Sequence, residues 1–466
     1  MVAPAKLTRG TISAGLMGLV LPMILGITSN LGAALFETYL LGLVGTNELA
    51  AYSFTFAVTG ALGSLSLGIS IGLSSVLART VGGGDHDQVK RLATDGLGLL
   101  AVVMLVTSVI GYLSIEPLFR MMGATEDTLQ HIVGYMQIWY IALIFFSLPS
   151  MGANALRATG DAKISGTIMV SGAAMQAVLD PIFIFGWFGL PAMGLEGAAW
   201  AVFISRIVLC VVTFYVLIKQ EDLIDFSKRT LAGVMHSWRS ILAVGLPATA
   251  TNLIGPISTA IIVSLLAGYG KEAVAGFGIA SRVEALSVIP LFALSASIGP
   301  FVGQNSGAGE KVRANQGMLV SFLWSMVWGL FVAIIFFLFS DSIGALFDDD
   351  PLVTEYTKLY LTLVPFSYGA WGVLMMSSAT FNSLGKPLIS TSMSVVRMFV
   401  IYVPLAYIGE SFMGVTGIFI ATCVSNIVMG LVGFGLNRWT YGGGMSDWLG
   451  VGEYSLPEPK AVKSNR

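Results

Sequence analysis

Apolar runs recur from one end of the chain to the other. Each is about twenty residues or longer, enough to cross roughly 30 Å of hydrocarbon. Inside a bilayer a backbone can satisfy its polar groups only as helices or closed barrels. Charged residues make up only 11% of the chain, against about 25% in a typical soluble domain. The sequence therefore predicts an all-α polytopic membrane protein.

Twelve transmembrane helices are predicted from these runs. They lie at residues 14–40, 49–77, 93–113, 129–153, 165–185, 196–217, 240–267, 273–303, 316–339, 354–381, 391–408 and 414–436. Lys and Arg concentrate in the loops on the side of the N-terminus, and only Arg120, Lys271 and Lys358 fall on the other side. Because basic loops favour the cytoplasm, we expect a multi-pass protein of the bacterial inner (plasma) membrane with both termini cytoplasmic.

The two halves of the sequence repeat each other. Shifted by 225 positions, Leu21 and Pro22 meet Leu246 and Pro247, and DPIFIFG later resembles VPLAYIG. Six spans return a chain to its starting side, so the halves should be related by an axis along the membrane normal, as in transporters with parallel repeats. The predicted organisation is an N-terminal six-helix lobe at 1–218, a cytoplasmic linker loop at 219–239, a C-terminal six-helix lobe at 240–436 and a cytoplasmic tail at 437–466.

Several function classes are disfavoured. The net charge is −2 and there is no basic domain, so no nucleic-acid partner is expected. GGGDHDQVK lacks the GK[ST] ending of a phosphate-binding loop, the three histidines fall near loops or helix ends, and no catalytic cluster is evident. We therefore expect no enzyme activity, no cofactor and no structural metal site. Two facing halves around a cleft suggest transport instead.

Several motifs follow the repeat in order. LP, then an acid, then LLGLVGTNELAA occupies the first two helices, and NALRATGDAKIS, VGQNSGAGEKVRAN and NSLGKPLIS follow. Together they resemble the multidrug and toxic compound extrusion (MATE) family across nearly the whole chain.

The resemblance implies a V-shaped fold of two pseudo-symmetric lobes. It also implies secondary active export of hydrophobic, often cationic, organic compounds or drugs in exchange for protons or sodium ions by alternating access. We expect a monomer in the lipid bilayer. The alternative is a lipid-linked precursor flippase of the same superfamily.

Two acids lie inside predicted spans of the N-terminal half, Glu37 and Asp180. An ionisable residue within a membrane is by default a functional candidate, and burial and like charge both favour the neutral form of a carboxyl group. The resemblance to the bacterial DinF-like branch implies cation coupling at Glu37, Asp180 and Gln176. That branch usually has Asp at the first position and often Asn at the last. The longer side chains here favour protons, with sodium at Glu37 and Asp180 as the alternative.

A second set of residues is predicted to contact substrate, because flat rings and methionine suit apolar cations and a carboxylate suits their charge. This set is Tyr52, Trp139, Met175, Arg282 and Glu284. Plain packing explains the aromatic and methionine members equally well, and an ion pair explains Glu284.

The remaining intramembrane charges receive a structural interpretation. Arg206 and Arg397 are expected to pair with carbonyls or acids and to lock helices together. Ile262 stands where the 225-residue shift would place the counterpart of Glu37. The coupling ion is therefore expected in the N-terminal half.

Overall fold

The computed structural model describes residues 5–226 and 230–441. Throughout these residues the regular secondary structure is helical, which confirms the all-α prediction. Residues 227–229 of the predicted linker loop and residues 442–466 of the predicted tail lie outside the described residues.

The N-terminal half contains six long helices and one short one. They are α1 (Ile12–Val44), α2 (Thr46–Gly83), α3 (His86–Leu113), α4 (Ile115–Met121), α5 (Glu126–Ala158), α6 (Ala162–Phe185) and α7 (Gly194–Tyr215). A π-helical segment continues α7 to Gln220. Asp85 and Asp161 start α3 and α6 by accepting hydrogen bonds from backbone N–H groups of the first turn, which otherwise lack partners.

Within the described residues, the C-terminal half contains nine α-helices. They are α8 (Leu231–Ala267), α9 (Lys271–Ser287), α10 (Ile289–Gly307), α11 (Lys311–Phe347), α12 (Pro351–Leu363), α13 (Tyr368–Ser383), α14 (Pro387–Val395), α15 (Val403–Met413) and α16 (Val415–Tyr441). A 3-10 turn joins α12 to α13, and a π-helical segment joins α14 to α15, so each pair is one span. α8 begins at Leu231, so the second part of the segment predicted as a linker loop is helical.

Eleven spans in the described residues are long and apolar enough to cross a membrane, and α9 with α10 forms a twelfth across a 46° bend. The sequence prediction placed one helix over 273–303 and did not foresee this bend. Val288 separates the two parts, and Pro290 follows at the start of α10. Proline has no N–H to donate, and its ring clashes with the carbonyl four residues earlier, which favours a bend at this position.

The two halves meet where glycines remove side chains from the helix surfaces. A Cβ atom at Gly72 of α2 would lie 2.4 Å from the carbonyl oxygen of Ile241, and one at Gly82 would lie 2.1 Å from that of Gln304. In the opposite direction, a Cβ at Gly307 of α10 would lie 2.1 Å from the carbonyl oxygen of Arg79. Small residues allow helix backbones to approach this closely in membranes.

The first helix belongs to both halves. Leu16, Leu19 and Met23 pack into the hydrophobic core of the C-terminal half, whereas Leu40 and Leu41 pack into that of the N-terminal half. Pro22 lies inside the helix at the end of the first group. α1 is therefore in contact with both lobes, and Glu37 lies on its N-lobe part.

Candidate functional site

Glu37 is buried on α1 and faces neighbours from two other helices. Its Oε2 accepts a hydrogen bond from the Tyr52 hydroxyl of α2 at 3.3 Å. The same oxygen accepts one from the Gln176 Nε2 of α6 at 3.1 Å. Its Oε1 has no hydrogen-bond partner among the described residues. The Oε2 atom is therefore held by hydrogen bonds from the N-terminal lobe, while the Oε1 atom has no such partner in the described residues.

Asp180 lies one turn after Gln176 on α6 and is fully buried. Within the described part of the chain neither of its carboxyl oxygens has a hydrogen-bond partner. It is close enough to Glu37 for the two charges to act on each other. The predicted trio of Glu37, Gln176 and Asp180 thus comes together. A buried acceptor without a partner is costly, so these oxygens are suited to receiving a cation.

Arg206 of α7 completes the cluster, although the sequence interpretation gave it only a helix-locking role. Its Nη2 donates to the Gln176 Oε1 at 3.2 Å, and its guanidinium lies 4.8 Å from the centre of the Phe146 ring. The arginine charge acts on both Glu37 and Asp180. One signal for this role was available, namely a lone arginine in an apolar run of the lobe that holds both acids.

The residues predicted to contact substrate do not share one place. Tyr52 belongs to the acid cluster, and its ring meets the Tyr135 ring edge to face at 6.0 Å. Trp139 is buried in the lobe, where its ring packs against Tyr140 and Phe146. Phe146 is also the ring that Arg206 contacts. Met175 is half-buried next to Gln176.

Glu284 lies in the C-terminal half at the centre of a second polar cluster. Its Oε2 accepts hydrogen bonds from the hydroxyls of Tyr360 and Tyr368, the second at 2.9 Å. Arg397 is near enough for its charge to act on Glu284, and it donates to the Asn426 Oδ1 at 3.1 Å. Arg282, two residues before the acid, is exposed. Glu284 therefore lies in a polar cluster, whereas Arg282 lies outside it.

The two clusters occupy related places in the repeat. Phe277 and Tyr360 meet edge to face at 5.6 Å, and each lies 225 positions after its counterpart in the pair of Tyr52 and Tyr135. The aromatic frame is thus repeated, while the acids are not. Among the described residues, each cluster contains an acid and an arginine, and the N-terminal cluster contains a second acid.

Side chains also join the halves at one end of the molecule. Gln304 of α10 donates to the Ala158 carbonyl at 2.8 Å and accepts from the Leu7 backbone N–H at 3.1 Å. Arg79 of α2 donates to the Ser383 carbonyl at 2.5 Å. These contacts hold the two halves together at this end, which the sequence analysis predicts to face the cytoplasm.

Comparison with known proteins identifies the fold. The MatE family profile matches residues 22–182 and 247–408, one match in each half. A protein of Shewanella oneidensis named as an FAD transporter is 33% identical over 89% of this chain and 92% of its own length. A probable multidrug resistance protein of Bacillus subtilis is 27% identical over 78% of this chain and 80% of its own length.

Solved structures agree with the sequence matches. The MATE transporter VcmN of Vibrio cholerae, in its bent form, superposes with a TM-score of 0.88 at 25% identity, covering 94% of this chain and 98% of that one. This likeness confirms the V-shaped arrangement of two lobes and the membrane location of the spans. The chain therefore belongs to the MatE family, whose members are multidrug and toxic compound extrusion transporters and not enzymes.

Proposed function

We propose that this protein is a secondary active antiporter that exports hydrophobic, often cationic, organic compounds in exchange for protons. The observation that carries the proposal is the buried N-lobe cluster, in which three carboxyl oxygens of Glu37 and Asp180 have no hydrogen-bond partner in the described residues. Ionisable groups are retained inside membranes chiefly where they serve transport. A cluster that must gain and lose a positive charge is the core of an exchange cycle.

α1 is the element that converts proton binding into movement. Its outer part carries Glu37, held by Tyr52 and Gln176, and its inner part packs into the C-lobe core. A proton on either acid removes one negative charge and weakens the hydrogen bonds to the carboxylate. We infer that α1 then shifts relative to α2 and α6, which alters the inner contacts and expels substrate on the outer side.

For a neutral substrate, the membrane potential supplies enough energy for such a cycle. One charge moving through about 100 mV yields about 2.3 kcal/mol, which supports roughly a fifty-fold gradient of a neutral substrate. We propose that the protein works as a monomer in the bacterial plasma membrane with both termini in the cytoplasm. The basic residues on the side of the N-terminus support this orientation.

The direct test uses purified protein in sodium-free proteoliposomes with an imposed pH gradient. Ethidium-type dye should accumulate by way of the inside-out fraction when the gradient is present and should stop when an ionophore collapses it. Dye accumulation that does not depend on the pH gradient but requires an imposed sodium gradient would contradict the proton assignment. If the dye accumulates neither with a pH gradient nor with a sodium gradient, antiport of this dye is contradicted.

A second substrate class has one observation in its favour. The Shewanella oneidensis relative, which is matched over 92% of its own length, is named as an FAD transporter. FAD is a flat aromatic ring system joined to an anionic pyrophosphate. Rings such as Tyr52 and Tyr135 suit the flavin, whereas the acids of both clusters disfavour the phosphates.

Competition separates the two substrate classes. Organic cations should inhibit dye accumulation at concentrations at which FAD leaves it unchanged, because a cation is attracted by the carboxylates and a pyrophosphate is repelled. The measurement compares dye uptake with the fluorescence of flavin retained in preloaded vesicles. Flavin release that requires the protein, with no dye transport, would assign the protein to dinucleotide export instead.

A further inference from the structure

The donor and acceptor pattern around Gln176 fixes how its amide points. Arg206 can only donate hydrogen bonds, so the Gln176 atom beside its Nη2 at 3.2 Å must be the carbonyl oxygen. The amide nitrogen is then the group that faces the Glu37 Oε2 at 3.1 Å. No other orientation satisfies both neighbours at once when Glu37 is ionised.

This orientation turns the Gln176 oxygen towards a positive charge and presents the amide nitrogen to Glu37. Hard metal cations are held by several converging oxygens at fixed distances, with amide carbonyls prominent among them. The Gln176 carbonyl already accepts from Arg206, so a metal cation bound to that oxygen would lie next to the guanidinium charge. The Tyr52 hydroxyl donates a hydrogen bond to Glu37. Three carboxyl oxygens of Glu37 and Asp180 have no partner in the described residues, and a proton needs only one of them.

The fixed charge of Arg206 acts in the same direction. Its guanidinium lies 4.8 Å from the centre of the Phe146 ring and donates to Gln176, which in turn donates to Glu37. A neighbouring positive charge weakens the binding of any cation, and most strongly where water is excluded. A proton forms a covalent O–H bond, with carboxyl affinity near 10⁻⁴ M in water, and tolerates this loss. A sodium ion depends wholly on the oxygens around it.

We propose that Arg206 makes the N-lobe site select protons and exclude sodium ions. The inference deepens the antiport proposed above and rests on the N-lobe cluster being its coupling site. Arg206 is a positioning residue here, since it acts through Gln176 and through its charge and does not itself bind the coupling ion. The residues present do not fit a sodium ion while the arginine is in place.

Arg206→Gln and Arg206→Lys provide the test. The glutamine variant loses the positive charge but can still donate a hydrogen bond to Gln176, whereas the lysine variant keeps a charge that can only donate. Binding of radioactive sodium to detergent-purified protein is measured at constant pH. Unmodified protein and Arg206→Lys should show no saturable sodium binding up to about 100 mM. Arg206→Gln should bind sodium with a Kd at least about tenfold below that limit.

Dye transport in proteoliposomes gives the matching functional readout. A sodium gradient at constant pH should drive accumulation only with Arg206→Gln. Saturable sodium binding by the unmodified protein would overturn the inference even if antiport is correct, and so would an Arg206→Gln variant that binds no sodium. If no protein transports dye under any gradient, the proposed function fails while the sodium-binding measurement still decides the role of Arg206. Arg206→Met replaces the glutamine variant if that variant does not purify as a monodisperse species.

Discussion

Glu37→Gln is expected to abolish proton-driven accumulation of substrate. Glutamine keeps the size and the hydrogen-bonding shape of Glu37 but cannot take up and release a proton. Without exchange, the imposed pH gradient can no longer drive the dye, so the ratio of dye inside to outside should fall to about one. Dye accumulation in proteoliposomes with an imposed pH gradient measures this directly.

Two controls keep the result specific to coupling. Glu116→Gln changes an exposed acid on the short helix α4, outside the cluster, and should transport like the unmodified protein. Downhill exchange of labelled for unlabelled dye should survive Glu37→Gln, because the substrate contacts remain. A Glu37→Gln variant that still accumulates dye against its gradient would reduce Glu37 to a structural role, with Asp180 as the remaining acid to test.

Gly82→Ala should prevent the inner ends of the two lobes from closing. A Cβ atom at Gly82 would lie 2.1 Å from the Gln304 carbonyl oxygen, an atom of the α10 backbone that cannot turn aside. Overpacking of this kind costs about 1–3 kcal/mol, which would shift the balance towards the inward-open state by about fivefold to 150-fold. Accumulation should slow accordingly, while the protein remains folded.

Gly83→Ala is the matched control, since a Cβ atom there would meet its nearest neighbour, the Gly307 oxygen, at an ordinary 3.9 Å. Spin labels at Asp87 and Glu310, which are exposed on the two halves, report the separation of the inner ends. The label distance should lengthen in Gly82→Ala and stay unchanged in Gly83→Ala. Equal distances in both variants would show that this contact does not hold the lobes together.

Part of the site was predictable because it depends on composition along the chain. Glu37 and Asp180 stand out in apolar runs, since a bilayer makes an isolated charge costly wherever the helix lies. Gln176 was predicted only because the resemblance to the MATE family implies an amide one turn before Asp180. Arg206 was visible in the same way, but its neighbours were not, because they lie on α6 and α5 and depend on how three helices are rotated against one another.

The sequence alone determined the number of spans, the two related halves and the presence of acids in the N-lobe. These properties come from hydropathy, from repeated motifs and from the cost of charge in lipid, and each can be read along the chain without knowing a neighbour. The tertiary structure decided that Arg206 directs the Gln176 amide, that α1 packs into both cores and that α9 and α10 meet at a 46° bend. Helices rich in small residues can pack at many rotations and depths, so only the assembled bundle selects which side chains meet.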